Sequence, residues 1–395
     1  MHPTDSIFRL IVNAKGILGD FCHIIIFNGF NELVKKGYGN INIILPKGIY
    51  RVRLELNEES KEEMVRLDQD VHLDMDPPKS HSSIVADDFS SSHDYYSCEA
   101  IKWSREATAN AQEKGLWSAI FLFLRYPNKE LAQQLNPDKS SLGRHFSLLD
   151  AQRKKIFTLT GSNIREDPHT GWLAFHVPLK NGQYYLHYSG KGKREIPIYA
   201  FNGWQSQLFL TMREEPLFPT LKISTDRITA GFRNDNLINY IMDASMQKMH
   251  NGIYFIPEKI LEKLALGNWD NPMMGLLTAY VYFKSNKRDK DELFRQLLNN
   301  YDRIILDDQQ APDLLALKLM AARYFNDSLP DYKLSAPCMF MTGMKLAWEF
   351  AEQNVDIVDD NSFLELIVKK IYADMEWTSY EPPALGVITN TLAKL

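Results

Sequence analysis

Cysteine is scarce in this chain of 395 residues, which contains only Cys22, Cys98 and Cys338. The three lie far apart and none belongs to a Cys-x-x-Cys pair. The sequence therefore excludes a disulfide framework and a zinc site made of cysteines alone. Such cysteine usage is typical of a reducing compartment, and we expect a cytoplasmic protein.

Long apolar runs are also missing. The longest apolar stretches, such as Pro272 to Phe283, are about a dozen residues, whereas a helix that crosses a bilayer needs roughly 18. Asp5 and Arg9 interrupt the apolar residues near the amino terminus, where a secretory signal would need an unbroken run. We therefore expect neither a membrane span nor a cleavable export signal.

The chain has no excess of positive charge. It contains 45 Lys and Arg residues against 50 Asp and Glu, which gives a formal net charge of −5. Its short basic clusters at 153–155 and 191–194 lack the interleaved aromatic residues with which proteins stack on single strands. We expect no nucleic-acid partner.

Recognisable catalytic motifs are absent too. The sequence contains no Gly-x-Ser-x-Gly elbow, no His-Glu-x-x-His pair and no Gly-x-Gly-x-x-Gly loop. No family signature surrounds Cys98, so a nucleophilic cysteine is not predicted. The sequence predicts a protein that is not an enzyme and holds no cofactor.

The first part of the chain has the pattern of β-strands. Short apolar or alternating segments rich in Ile, Val, Leu and aromatic residues are bounded by Gly, Asn, Asp or Pro. Arg51, Arg53 and Glu55 alternate with Val52, Leu54 and Leu56, which predicts one buried and one solvated face. The predicted strands are 7–12, 22–27, 41–45, 49–56 and 63–67.

A short motif, Leu-x-x-Gly-x-Tyr, occurs twice between predicted strands. It spans Leu45 to Tyr50 and again Leu179 to Tyr184. In each copy Gly permits a tight turn and Tyr begins the returning strand. We predict two antiparallel β-sandwich modules, 1–76 and 116–214. The turn resembles that of transthyretin-like and carboxypeptidase-regulatory-like sandwiches, a resemblance that implies accessory or binding modules without catalytic residues.

Helical periodicity begins after Asp235. It predicts helices at 236–249, 257–266, 272–283, 289–306, 312–325, 337–353 and 362–374. Several candidate helices start with Pro in the first turn, and Pro272 and Pro312 open two similar segments 40 residues apart. This spacing resembles stacked helical hairpins of the TPR or HEAT kind, although an ordinary helical bundle is an alternative. The predicted fold is α+β multidomain: two sandwich modules, linkers at 77–115 and 215–234, and an all-α, repeat-like domain at 235–395.

Charge and methionine are concentrated in the predicted helical domain. Residues 235–395 hold 23 acidic and 16 basic side chains and ten of the 14 methionines. Flexible methionines suit adaptable contact surfaces, although they often fill cores instead. We expect a protein partner on this acidic domain. The candidate contact residues are Met273, Met274, Met339 and Met341, with Trp204 in the second module, whose indole could instead close the end of the sandwich.

A polar segment after the first module concentrates histidine and aspartate. His72 and Asp74 would share one face of a strand, and His81 and His93 follow within the predicted linker. These side chains are metal ligands if they converge. The alternative is a solvated, Ser-rich connection.

Three functions follow from these patterns. The first is a non-enzymatic adaptor or scaffold in a multi-protein complex, and one variant makes the chain the regulated partner or substrate of a protease, with 77–115 as the accessible strip. The second is a metal-dependent hydrolase that uses the His/Asp cluster at 72–93. The third is a binding protein for a peptide or glycan, which would use Trp204 and the aromatic strand Tyr184–Tyr188.

Overall fold

The structure is a computed structural model with strands in its amino-terminal part and helices towards its carboxy terminus, so the chain is an α+β protein. No helix among the described residues is both long and apolar enough to span a membrane. The described residues are 6–56, 59–78, 84, 94–113, 118–250, 252–257, 260–261, 271–285, 291–304, 311–328, 333–353, 363–367 and 370–383.

Contacts within the chain define two compact units. The sequence predicts domains in linear order, whereas in the structure a helical segment after the second module groups with the first module. The remaining helices group with the second module. The first unit comprises Met1–Ser82, Asp88–Ser91 and Asn236–Leu261, and the second Ser83–Asp87, Ser92–Asp235 and Glu262–Leu395.

Seven of the described strands form the first β module. They are β1 (Ile7–Ala14), β2 (His23–Phe27), β3 (Leu33–Tyr38), β4 (Asn40–Pro46), β5 (Gly48–Leu56), β6 (Glu59–Leu67) and β7 (Val71–Met75). One sheet has the order β4-β1-β7, with β1 antiparallel to β4 and parallel to β7. The other has the order β3-β2-β5-β6 and is antiparallel throughout. All five predicted strands are present with slightly different bounds.

The second β module has nine strands. They are β8 (Ser118–Arg125), β9 (Phe146–Leu149), β10 (Lys155–Thr158), β11 (Ile164–Asp167), β12 (Trp172–Leu179), β13 (Gly182–Tyr188), β14 (Arg194–Ala200), β15 (Trp204–Thr211) and β16 (Lys222–Arg227). Their sheets have the orders β11-β12-β8-β15-β16 and β10-β9-β13-β14. As with β1, β8 is antiparallel to one neighbour, β12, and parallel to the other, β15. The second module repeats the strand order of the first and adds an outer strand on each side of one sheet.

The repeated turn is the same in both modules. The Tyr50 hydroxyl donates to the Pro46 carbonyl at 2.8 Å, and the Tyr184 hydroxyl donates to the Lys180 carbonyl at 2.9 Å. Each tyrosine thus bonds to the residue four positions earlier and fixes the passage from one sheet to the other. The internal repeat expected from the motif is therefore present in the strand order and in the turn.

The two predicted linkers contain regular structure. Helix α2 (Asp94–Glu113) lies within 77–115, and β16 lies within 215–234. Ala100 and Ser104 on α2 are buried, and the Ser104 hydroxyl accepts a hydrogen bond from the Phe232 backbone N–H. Among the described residues, the helices with defined bounds are α1 (Gly16–Gly19), α2 (Asp94–Glu113), α3 (Lys129–Leu135), α4 (Leu237–His250), α5 (Pro272–Lys284), α6 (Asp291–Ile304), α7 (Pro312–Phe325), α8 (Met341–Gln353) and α9 (Phe363–Ile367).

Two predicted helix boundaries are wrong. The sequence places a helix start at Pro337, but α8 begins at Met341 because the N–H groups of Met339 and Phe340 bind the Asp313 carboxylate. The predicted helix at 362–374 ends at Ile367, since Ile371 instead pairs with Tyr380 as an antiparallel bridge. Tertiary hydrogen bonds therefore override helical periodicity at both places.

Candidate functional site

One row of side chains crosses the outward face of the four-stranded sheet in the first module. Phe27 on β2 lies opposite Leu33 on β3 and Arg51 on β5, and Arg51 lies opposite Met64 on β6. Directly opposed residues of antiparallel strands project to the same side. We call Leu33, Phe27, Arg51 and Met64 the outer row.

The outer row belongs to an exposed apolar patch. Met64 is 66% exposed, Leu33 56% and Ile49 56%, and Phe30 in the turn between β2 and β3 is 87% exposed. A side chain at Gly29 would lie 3.7 Å from the Ile49 carbonyl oxygen, so this turn lies beside the start of β5. Single exposed apolar residues are common on protein surfaces, whereas a contiguous group marks a contact surface.

Local hydrogen bonds hold Phe30 in its exposed position. The Asn28 carboxamide oxygen accepts from the backbone N–H groups of Phe30 at 2.9 Å and Glu32 at 3.0 Å. Asn31 takes a left-handed conformation with φ of 63°, which asparagine tolerates better than most residues. The turn between β2 and β3, which carries Phe30 at the apolar end of the sheet, is therefore fixed by its own hydrogen bonds.

Positive charge surrounds the outer row. The Arg51 guanidinium lies 4.6 Å from the centre of the Phe27 ring, and Arg53 Nε lies 2.5 Å from the Glu62 carboxylate. The register places Lys36 and Arg66 on the same face, since they oppose Ile25 and Ile49. The basic side chains of this face, Lys36, Arg51, Arg53 and Arg66, outnumber its acidic ones, Glu55 and Glu62.

The opposite end of the same face is covered from within the unit. Phe255 stacks on Tyr38 with ring centres 4.6 Å apart, and Lys248 Nζ lies 4.5 Å from the centre of the Tyr38 ring. Burial lowers the pKa of Lys248 to about 8 and raises the pKa of the nearby Cys22 thiol to about 12. The exposed patch is thus limited to the end formed by Leu33, Phe30, Ile49 and Met64.

The equivalent face of the second module is covered. Tyr185 comes directly after the motif tyrosine of the second module, as Arg51 does in the first module. The centre of the Tyr185 ring lies 6.2 Å from the centre of the Phe363 ring. Tyr380 and Glu195 on β14 exchange two backbone hydrogen bonds, with N–O distances of 2.9 and 3.1 Å. The helical part of the chain therefore supplies the cover that the first module lacks at its exposed end, among the described residues.

A buried ion pair anchors this cover. The Glu195 carboxylate binds the Arg153 guanidinium and lies 2.8 Å from His187 Nδ1. Arg153 also donates to the Tyr380 hydroxyl at 3.2 Å and lies 4.3 Å from the centre of the Phe363 ring. Burial, followed by the Glu195 charge, raises the pKa of Tyr380 above its ordinary value.

A second buried acid joins three helical segments. The Asp313 carboxylate on α7 accepts hydrogen bonds from the backbone N–H groups of Met339 at 2.7 Å and Phe340 at 3.1 Å. The Tyr280 hydroxyl on α5 donates to it at 2.9 Å. Burial raises the pKa of Asp313 to about 6 in spite of these hydrogen bonds. This arrangement positions the helices relative to one another.

The residues predicted to contact a partner lie in the interior. Trp204 is buried at the start of β15 and the Arg227 guanidinium lies 4.1 Å from the centre of its indole. The four methionines are also buried, and the Met339 sulfur accepts a hydrogen bond from the Tyr199 backbone N–H. They fill the core of the second unit, the common role of methionine. The buried residues are Trp204, Met273, Met274, Met339 and Met341.

Two of the predicted metal ligands meet, together with a residue that the sequence did not indicate. His72 Nε2 lies 3.3 Å from Asp74 Oδ1 on the exposed side of β7. The Asn13 carboxamide on β1 lies 2.6 Å from His72 Nε2 and 3.1 Å from Asp74 Oδ1. The described residues contain no group of three His, Cys, Asp or Glu side chains placed for a metal ion. His81 and His93 lie outside the described residues.

Comparison with known proteins adds little to this geometry. No family model matches the chain, and no curated protein matches it. The solved structure of the Bacillus anthracis TIE protein aligns with 10% sequence identity and a TM-score of 0.21, over 53% of this chain and 34% of that chain. The chain spans about a third of the length of that protein, and a similarity this low carries no functional argument.

Proposed function

We propose that this protein is a non-enzymatic adaptor that binds another protein through the outer row and the adjoining residues Phe30 and Ile49. The carrying observation is the exposure of four neighbouring apolar side chains on an ordered sheet face, Phe30, Leu33, Ile49 and Met64. Burial of one large apolar side chain stabilises a complex by about 1.5–3 kcal/mol. Four such residues give the patch the capacity for a specific contact.

Charge defines the chemistry of the partner. Basic side chains surround the apolar residues, so the partner surface would be apolar with acidic residues at its margin. Complementary charge of this kind accelerates association and selects the correct partner more than it adds affinity. We therefore propose that the adaptor binds its partner through the first module, and not through the acidic helices at 235–395 that the sequence analysis favoured.

The internal repeat supports the finer assignment of the fold. We propose that both modules are small sandwiches of the transthyretin-like kind, placed in tandem, and that the helices form a repeat-like array in a cytoplasmic protein. The support is the shared strand order and the shared tyrosine turn. Modules of this kind are binding elements, which agrees with an adaptor.

The test is a comparison of proteins enriched from lysate by three forms of the chain. Met64→Glu places a charge in the outer row, whereas Ile7→Glu places the same charge at an equally exposed residue, 63% against 66%, on the other sheet of the module. We expect a stoichiometric protein that the wild type and Ile7→Glu capture and Met64→Glu loses. Equal recovery with all three forms would contradict the proposed surface.

A further inference from the structure

The two modules correspond residue by residue around the outer row. We align the two modules on their motif tyrosines, Tyr50 and Tyr184. Tyr185 then takes the position of Arg51, and Pro197 takes the position of Met64. The same register places Glu195 where the first module has Glu62. Both glutamates bind the side chain opposite them, which is Arg53 at 2.5 Å in the first module and His187 at 2.8 Å in the second.

The turns beside this face correspond as well. The Asn28 N–H donates to the Glu32 carbonyl, and the Asp150 N–H donates to the Lys154 carbonyl, at 3.0 and 2.9 Å. The fourth residue of each turn has φ of 63°, Asn31 in the first module and Arg153 in the second. The equivalence therefore extends from the strands to the loop that carries Phe30.

In the second module this face binds a hairpin of the chain itself. Ile371 pairs with Tyr380, and Tyr380 adds to the outer side of β14 through both of its backbone groups. Asp374 of the hairpin accepts three hydrogen bonds from the guanidinium of Arg194 on β14, one at 2.9 Å and two at 3.0 Å. Main-chain pairing and one acidic side chain thus hold the hairpin on the strand edge.

The corresponding edge in the first module is β6. In an antiparallel ladder, residues that do not bond to the inner neighbour direct their N–H and C=O outward, as Glu195 does towards Tyr380. By the same register Glu62 directs its backbone groups outward from β6, with Lys61 beside it where β14 has Arg194. No strand pairs with the outer side of β6 within the described part of the chain.

We infer that the partner presents an extended segment that adds as a strand to β6, with an aromatic or apolar side chain over the outer row and an acidic side chain opposite Lys61. The second module supplies the template for each element of this recognition. In strand addition the main-chain hydrogen bonds supply affinity, and the contacts of the side chains supply specificity. The inference rests on the proposed adaptor function and specifies the chemistry of its partner.

A peptide with the sequence of residues 370–383 is the probe. It contains Asp374 and Tyr380, and the fluorescence anisotropy of the labelled peptide is measured on addition of the full-length chain. We expect saturable binding in the micromolar range, at least tenfold weaker with Met64→Glu and unchanged with Ile7→Glu. A tenfold loss corresponds to about 1.4 kcal/mol, close to the lower value for one buried apolar side chain.

Modified peptides make the test independent of variant folding. Methylation of the backbone nitrogen at the position of Tyr380 removes the N–H that donates to the strand edge, so we expect binding to be lost. Binding that survives this change or Met64→Glu would overturn the inference, because the peptide would then occupy another site. No binding would also overturn it, whereas the adaptor proposal fails separately if enrichment from lysate is insensitive to Met64→Glu.

Discussion

The buried carboxylate of Asp313 should make the stability of the helical segments depend on pH in an identifiable way. Asp313 accepts hydrogen bonds from Met339, Phe340 and Tyr280, and all four residues are buried. Burial raises its pKa to about 6. Asp313→Asn keeps the size of the side chain and removes its titration, so the comparison isolates the ionisation of this group.

The sign and size follow from the two pKa values. The pKa is about 6 in the folded chain and about 3.9 in an unfolded one, so the folded state binds more protons between these values. Stability therefore falls as pH rises from about 4 to about 6 and is constant above this range. Two pKa units correspond to about 3 kcal/mol, roughly a hundredfold in the equilibrium constant for opening.

Hydrogen exchange of the peptide that contains the Met339 and Phe340 amides measures this local opening directly. After correction for intrinsic exchange rates, protection in the wild type should decrease between pH 4 and pH 7 relative to Asp313→Asn. The absolute protection of the variant should be lower at pH 4, because one backbone N–H then faces an amide NH₂. Parallel pH profiles for the two proteins would refute the assignment of a raised pKa to Asp313.

Three further predictions concern stability. Tyr50→Phe and Tyr184→Phe should each lower the free energy of unfolding by about 1 kcal/mol, since each removes one hydrogen bond of the repeated turn; very unequal losses in thermal denaturation would contradict the equivalence. Lys248→Met should stabilise the first unit at pH 7 by up to about 3 kcal/mol and abolish a rise in stability between pH 8 and 10, because only the folded amine has a pKa near 8. Gly343→Ala should destabilise by about 1–3 kcal/mol in urea denaturation, since the added methyl group would overlap the Tyr280 hydroxyl; a neutral effect would contradict this packing.

Local patterns predicted local structure. Alternation at Arg51 to Leu56 identified β5 and its buried face, and the Leu-x-x-Gly-x-Tyr motif identified the repeated turn because all of its contacts lie within six residues. β3 was missed, since Lys35, Lys36 and Gly37 are typical of a loop and only pairing with β2 makes them a strand. Pairing of this kind leaves no signal within the segment itself.

The candidate site could not be predicted in the same way. Leu33, Phe27, Arg51 and Met64 are distant in sequence, and a bulge between Ile26 and Phe27 sets which of them become opposed. The methionines after residue 235 lie in the core and not on a contact surface. The sequence could not show this, because composition alone does not distinguish these two uses of methionine. Register and burial are properties of the folded chain.

The most direct measurement of the proposed binding surface is site-specific photo-crosslinking in living cells. A photoreactive phenylalanine analogue replaces Met64 in one variant and Ile7, which is equally exposed on the other sheet, in a second. We expect one discrete protein adduct from position 64 and none of that mass from position 7. The same adducts from both positions, or none from position 64 in folded protein, would contradict it.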